Sequence, residues 1–209
     1  MDLIYNTLVK YKIYIYILLI ILIIYIFYNK YNRSMTKSSV DGEEYDVLNR
    51  KDKQVASNKL AKLNNKIIEL LRGLKNKYKT NLEENNNSYV FNILNNFKPD
   101  KIIETDPNNV MNLTSYTYSD GSVISFCVRE KDYSFVDDDI LTFVMIHEIA
   151  HQAKVVKDHG DEFWKIFKFL LINAEEFGII KNINFAKYPV YYVGIKVDYS
   201  PYFDENINI

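Results

Sequence analysis

All three histidines of the chain lie between positions 147 and 159. His147 and His151 flank Glu148 in the pentapeptide HEIAH, and residues four apart project from the same face of a helix, one turn apart. Two imidazoles placed in this way can reach one zinc ion at about 2.0–2.1 Å. The glutamate is then held beside the metal, where it can take a proton from a water that the metal activates. The spacing therefore predicts a zinc-hydrolase site with two histidine ligands and Glu148 as the general base.

A third ligand is expected, because a catalytic zinc usually has three protein ligands and one open position for water. His159 is the candidate: a short polar connection over 152–158 leads to it, and Asp161 can cap the helix that follows. Carboxylates also bind zinc, so Asp158, Asp161 and Glu162 are alternative ligands. Without a metal, His159 would be a solvated loop residue.

The helix that carries HEIAH is predicted from its flanking residues. Three aspartates at 137–139 form an acidic first turn, and a mostly apolar run then leads to Ile146. Ile149 and Ala150 keep the motif itself apolar, as a helix that crosses a core requires. Two unpaired histidines would be costly to bury in such a helix, and a metal removes that cost. The alternative is a core helix whose histidines are incidental.

The stretch 146–164, in which HEIAH is followed by HGDEFW starting at His159, resembles the SprT-like and WLM zinc metallopeptidases. Those families pair HExxH with a later histidine, often in an H-G-x-x-F or H-x-x-x-F context before an apolar helix, and the match covers about 113–171. The resemblance implies that His147, His151 and His159 hold Zn²⁺. It also implies that Glu148 is the general base and that the fold is zincin-like.

The expected fold class is α+β, with a small zincin-like domain over 45–209 whose active-site helix packs on a short β-sheet. Residues 113–118 and 122–128 predict a hairpin across 119–121. One strand of this hairpin is the candidate edge to which an extended peptide substrate adds as a further strand. A later strand is predicted over 188–197, where Tyr191 or Tyr192 could donate a hydrogen bond to the oxyanion formed during amide hydrolysis. The alternative for either tyrosine is a structural role.

The N-terminal part has a different character. The run 13–28 contains only apolar residues and tyrosines, and with the preceding residues it approaches the roughly 30 Å of a bilayer core. The sequence therefore predicts a transmembrane anchor over 1–31 that contacts the membrane through 8–28, followed by a juxtamembrane linker over 32–44. Lysine and arginine are slightly more frequent after the run than before it, which favours a single-pass protein with a cytoplasmic C-terminal domain.

Composition and periodicity limit the partners. Apolar residues at 60, 63, 67, 70 and 74 predict an amphipathic helix within 45–78, which is expected to pack on the catalytic core, with self-association as the alternative. A net charge of −1 gives no footprint for nucleic acid. The single cysteine, Cys127, excludes an internal disulfide.

Together these features predict a membrane-anchored, zinc-dependent peptidase that acts on a peptide or protein substrate. Two alternatives remain open at this level. One is a catalytically inactive zinc-binding scaffold at a membrane. The other is a metal-free single-pass tether that recruits a partner through the 45–78 helix.

Overall fold

A mixed β-sheet covered by helices forms the body of the computed structural model, which describes residues 2–78, 86–97, 102–111, 114–118, 122–153 and 159–209. The helices are α1 (Asp2–Tyr31), α2 (Lys53–Lys77), α3 (Asn86–Asn96), α4 (Asp138–Ala153) and α5 (Asp161–Glu176). The strands are β1 (Arg33–Lys37), β2 (Glu44–Leu48), β3 (Ile102–Glu104), β4 (Tyr116–Thr117), β5 (Ile124–Phe126), β6 (Val190–Tyr192) and β7 (Ile195–Val197). The predicted α+β class is confirmed.

The main sheet has the strand order β1-β2-β3-β5-β4, which leaves β4 at one edge. Strands β2 and β5 run parallel to β3 on its two sides, whereas β1 pairs antiparallel with β2 and β4 pairs antiparallel with β5. The β4–β5 pairing, with Thr117 opposite Ile124, confirms the predicted hairpin. Its turn at 119–121 lies outside the described residues. Strands β6 and β7 form a second, two-stranded antiparallel sheet.

Helix α2 lies against the main sheet and against α4. The apolar stripe predicted from its sequence faces the core, and its five positions are buried: Leu60, Leu63, Ile67, Leu70 and Leu74. The prediction that this helix packs on the core of the domain is therefore confirmed. Because the stripe is inside the domain, it is not available for self-association or for recruiting a partner. A glycine permits the close approach of α5, since a Cβ at Gly73 would lie 2.5 Å from the ring of Phe177.

A buried ion-pair network ties the sheet to the start of α2. The side chains of Glu104 and Arg129 are fully buried, and Arg129 Nε donates to Glu104 Oε1 over 2.8 Å. The other carboxylate oxygen of Glu104 accepts the backbone N–H of Leu48 over 2.7 Å. Arg129 also donates through Nη1 to Asp52 Oδ2 over 2.7 Å. One carboxylate thus joins β3, the end of β2 and the segment after β5.

The predicted linker over 32–44 is wrong, because its first half is strand β1 of the main sheet. An antiparallel edge strand with one solvated face needs few apolar residues, so its polar sequence looks like a linker. Pairing is reinforced by Arg33, whose Nε donates to Asp46 Oδ1 on β2 over 2.8 Å. The chain reverses between the strands near Gly42, which has a φ of +80°.

The predicted transmembrane anchor is also wrong. In the part of the chain that the structure describes, no helix combines the length and the apolar character needed to cross a membrane. The described side chains of α1, at 11–25 and at Tyr31, are exposed and include Lys12. The single-pass arrangement inferred from that anchor loses its support.

Candidate metal centre

Helices α4 and α5 bring the three histidines to one point. His147 and His151 lie one turn apart on α4, and His159 lies two positions before α5. One nitrogen from each imidazole lies within 4.8 Å of the other two. The Nε2 atoms of His147 and His159 are 3.1 Å apart. The three ligands predicted from the sequence are therefore the residues that the fold brings together.

The donor set of this cluster fits zinc. Burial, followed by the proximity of His151 and His159, lowers the pKa of His147 to about 3, so this imidazole is neutral and keeps a lone pair near neutral pH. His159 is exposed, so one side of the cluster faces solvent. Three imidazoles with an open side are the ligand set of a catalytic zinc site. Among the described residues no carboxylate completes the cluster, which rules against Asp161 and Glu162 as ligands; Asp158 lies outside those residues.

Phe163 is the platform under the histidine cluster. It lies in the first turn of α5, is 2% exposed, and its ring centroid is 4.9 Å from that of His147, 4.5 Å from that of His151 and 4.6 Å from that of His159. A ring fixed in the core at these distances restricts the rotation of all three imidazoles. Phe163 is the aromatic residue of the H-G-x-x-F pattern, so it could be singled out from the sequence. Its contact with the histidines could not.

Glu148 points from α4 toward the edge strand. Its side chain is buried, and burial raises the pKa of this carboxyl to about 7, although the hydrogen bond from Thr117 opposes the rise. Thr117 Oγ1 on β4 donates to Glu148 Oε2 over 3.0 Å. A carboxyl with a pKa near neutrality can both take and release a proton at physiological pH. Sequence reasoning did not find Thr117, since its contact with Glu148 depends on the register of β4.

A cavity of about 360 Å³ opens beside the cluster. His147, Glu148 and His159 line the side of the cavity next to the histidine cluster. Its apolar wall comes from α4, α5 and β7: Phe143, Val144, Trp164, Phe167, Ile195 and Val197. Thr114, Ser115, Tyr192, Lys196, Asp198 and Tyr199 complete the lining. The candidate metal site therefore faces a pocket rather than a flat surface.

The two candidate oxyanion donors separate in the structure. Tyr191 is 63% exposed and does not line the cavity. Tyr192 is buried in the cavity wall, where its hydroxyl donates to the carbonyl oxygen of Cys127 over 3.0 Å and lies 2.7 Å from Ser115 Oγ. Burial holds the pKa of Tyr192 well above its ordinary value. Because the hydroxyl hydrogen is donated to the Cys127 carbonyl, it is not available to an oxyanion. The geometry thus gives Tyr192 a structural role in the cavity wall.

Helix α3 fixes the ends of the two helices that carry the site. Asn92 Nδ2 donates to the carbonyl oxygen of Ala153 over 2.8 Å, and Asn96 Nδ2 donates to that of Gln152 over 3.0 Å. These bonds satisfy carbonyl groups at the C-terminal end of α4, directly after His151. Tyr89 donates to Glu162 Oε1 on α5 over 3.1 Å. The spacing of Asn92 and Asn96 by one helical turn was a signal for this contact, but the sequence does not name the partner helix.

The chain has a relative among known proteins but matches no protein-family model and no solved structure. It is 30% identical over 176 residues to "Uncharacterized protein R325" of Acanthamoeba polyphaga mimivirus. The matched region is 81% of this chain and 84% of the mimivirus protein, so the likeness extends well beyond the histidine cluster. The chain belongs to the family of this mimivirus protein.

Proposed function

We propose that this protein is a zinc-dependent peptidase. The observation that carries the proposal is the meeting of three imidazoles within 4.8 Å of one another, next to a buried carboxyl at the mouth of a cavity. A core helix with incidental histidines would not need a third histidine from another element at the same point. The resemblance of the motif region to SprT-like and WLM metallopeptidases supports the same chemistry.

His147, His151 and His159 are the residues that would hold the metal. Zinc held there would polarise a peptide carbonyl and allow a water to lose a proton near neutral pH. Glu148 accepts that proton as the water attacks, and it then gives the proton to the departing amine. The hydrogen bond from Thr117 restricts the rotation of the Glu148 carboxyl, so that the same oxygen serves both transfers.

Strand β4 gives a reason to prefer a peptide as the substrate. It is an edge strand of the main sheet, it contacts α4, and its Thr117 touches the general base. An extended peptide that pairs with β4 by main-chain hydrogen bonds would pass directly in front of Glu148. The edge strand thus supplies a binding mode that depends on the peptide backbone itself.

The proposal is tested by measuring zinc content and hydrolysis of a mixed peptide library for the wild type, Glu148→Gln and His159→Ala. We expect Glu148→Gln to keep its zinc and lose hydrolysis by about 10²–10⁴-fold, the usual contribution of a general base. His159→Ala should lose zinc and activity together, because only two imidazoles would be left to bind the metal. Glu69→Gln, the same chemical change at an exposed position on α2, is the matched control and should behave as the wild type.

Hydrolysis that survives in Glu148→Gln would contradict the assigned mechanism. Stoichiometric zinc with no hydrolysis of any peptide by the wild type would favour an inactive zinc-binding scaffold instead.

A further inference from the structure

We infer that the cavity beside the histidine cluster selects a large apolar side chain, and that this side chain belongs to the residue directly on the carboxyl side of the cleaved bond. The inference rests on the proposed peptidase function and names the substrate class of that same site. It is carried by the lining of the cavity and by the direction of the edge strand.

The wall of the cavity is apolar and largely aromatic. Phe143 and Phe167 are buried and in contact, with ring centroids 5.0 Å apart, and Val144 lies beside them on α4. Trp164 lies next to Phe167, with ring centroids 6.4 Å apart, and packs edge-on against Tyr199, with ring centroids 5.1 Å apart. A volume of about 360 Å³ falls within the range of small-ligand pockets, roughly 300–1,000 Å³. An aromatic or long aliphatic side chain can therefore be buried there.

Apart from the residues assigned to the metal and to the general base, the charged groups on the lining pair with each other. Lys196 Nζ and Asp198 Oδ2, both on half-exposed side chains, are 3.1 Å apart and form an ion pair with each other. Tyr192 is engaged with Ser115 and with a backbone carbonyl. An acidic or basic substrate side chain would thus lose its hydration without gaining a partner, which is unfavourable. The pocket favours apolar side chains and rejects charged ones.

The direction of β4 places the pocket on the carboxyl side of the cleaved bond. Thr117 touches Glu148, so the reacting carbonyl lies level with the end of this strand. Thr114 and Ser115, which precede the strand, line the cavity. Antiparallel pairing is the more stable mode of strand addition, and a peptide antiparallel to β4 runs from Thr117 back toward Thr114. The residues that follow the cleaved bond then lie next to the cavity.

Two readouts on the zinc-loaded full chain test the inference. The first compares alanine-rich peptides that carry one central Phe, Leu, Gly or Asp, with the cleaved bond located by mass spectrometry. We expect cleavage on the amino side of Phe or Leu, at least about tenfold faster than for Gly or Asp. Cleavage on the carboxyl side of Phe, or equal rates for all four peptides, would overturn the inference.

The second readout is binding without turnover. Trp164 is the single tryptophan of the chain and lines the cavity, so its fluorescence reports on occupancy. In the zinc-loaded Glu148→Gln variant, the Phe peptide should change this emission at a concentration at least about tenfold lower than the Asp peptide. A preference seen here without hydrolysis by the wild type would refute the peptidase function while leaving apolar selection by the cavity in place. The absence of a preference here would refute the inference even if hydrolysis occurs.

A substitution that fills the cavity separates the pocket from general effects on folding. Val144→Phe adds bulk to the cavity wall. It should abolish the faster cleavage of the Phe peptide relative to the Gly peptide in the first readout, and the tighter binding of the Phe peptide relative to the Asp peptide in the second. Val55→Phe makes the same change at a position on α2 that is 44% exposed, and it should leave the preference unchanged. An unaltered preference in Val144→Phe, in a variant whose circular dichroism matches the wild type, would contradict the assignment of this wall.

Discussion

Glu148 should make the metal-free protein less stable at alkaline pH than a variant with an uncharged side chain. The carboxyl is 6% exposed, and burial raises its pKa from 4.5 in the unfolded chain to about 7 in the fold. An acid with a raised folded-state pKa contributes stability that is fully present below 4.5 and is lost as the pH rises through 7. Glu148→Gln keeps the shape of the side chain and an acceptor for Thr117 but removes this loss.

The size of the effect follows from the shift. One pKa unit corresponds to about 1.4 kcal/mol, so the difference between 4.5 and about 7 corresponds to about 3 kcal/mol of unfolding free energy near pH 8. Near pH 5 the carboxyl is mostly protonated in the fold. The cost to the free energy of unfolding is then only about 1 kcal/mol. Glu148→Gln should therefore be more stable than the wild type at alkaline pH, by a margin that shrinks as the pH falls.

The assay is urea unfolding followed by far-ultraviolet circular dichroism, with EDTA present, at about pH 5 and about pH 8. Glu69→Gln again serves as the control, since an exposed glutamate should show no such trend. Addition of zinc should reduce the difference between wild type and Glu148→Gln, because a nearby cation favours the charged carboxyl. A stability gap that does not change with pH, or a Gln variant that is less stable at pH 8, would refute the placement of Glu148 in a dry environment.

Three further outcomes are expected. In urea unfolding, Arg129→Met should lower the unfolding free energy by about 3–5 kcal/mol, because it leaves Glu104 buried without its charged partner. The double variant Arg129→Met, Glu104→Gln should recover part of that loss. Phe163→Leu should preserve the fold but weaken zinc binding by about 10–100-fold, because the imidazoles lose the ring that restricts their rotation. The measurement is competition with a chelator, and an unchanged zinc affinity would show that the ring is dispensable. Zinc at a hundred times its dissociation constant should stabilise the wild type by about 2.7 kcal/mol in thermal unfolding and should leave His159→Ala unaffected.

The sequence predicts those parts of the fold whose signals are local. The acidic start and apolar course of α4, the helix after Asp161 and the apolar stripe of α2 can each be read from a short stretch of sequence, and each is present in the structure. Local signals failed for β1, because a solvated edge strand carries no apolar alternation strong enough to distinguish it from a linker.

The remaining features depend on contacts between residues far apart in the chain. The bond from Thr117 to Glu148 requires the register of β4, and the network around Arg129 requires β2, β3 and the start of α2 together. Tyr191 and Tyr192 are neighbours in sequence, yet alternation along β6 exposes one and buries the other. A pattern of residue types could name both tyrosines but could not choose between them.

The junction between α1 and β1 holds the domain close to the end of α1. Helix α1 ends at Tyr31 and strand β1 begins at Arg33, so a single residue joins them. Asn49 secures both sides of this junction, because its backbone N–H donates to the Asn32 carbonyl over 2.7 Å and its amide donates to the Tyr31 carbonyl over 3.1 Å. A flexible linker over 32–44 would have allowed the domain to move within about 20 Å of the end of α1. A single connecting residue spans about 3.6 Å. A partner that binds α1 would therefore also fix the position of the histidine cluster to within a few ångströms.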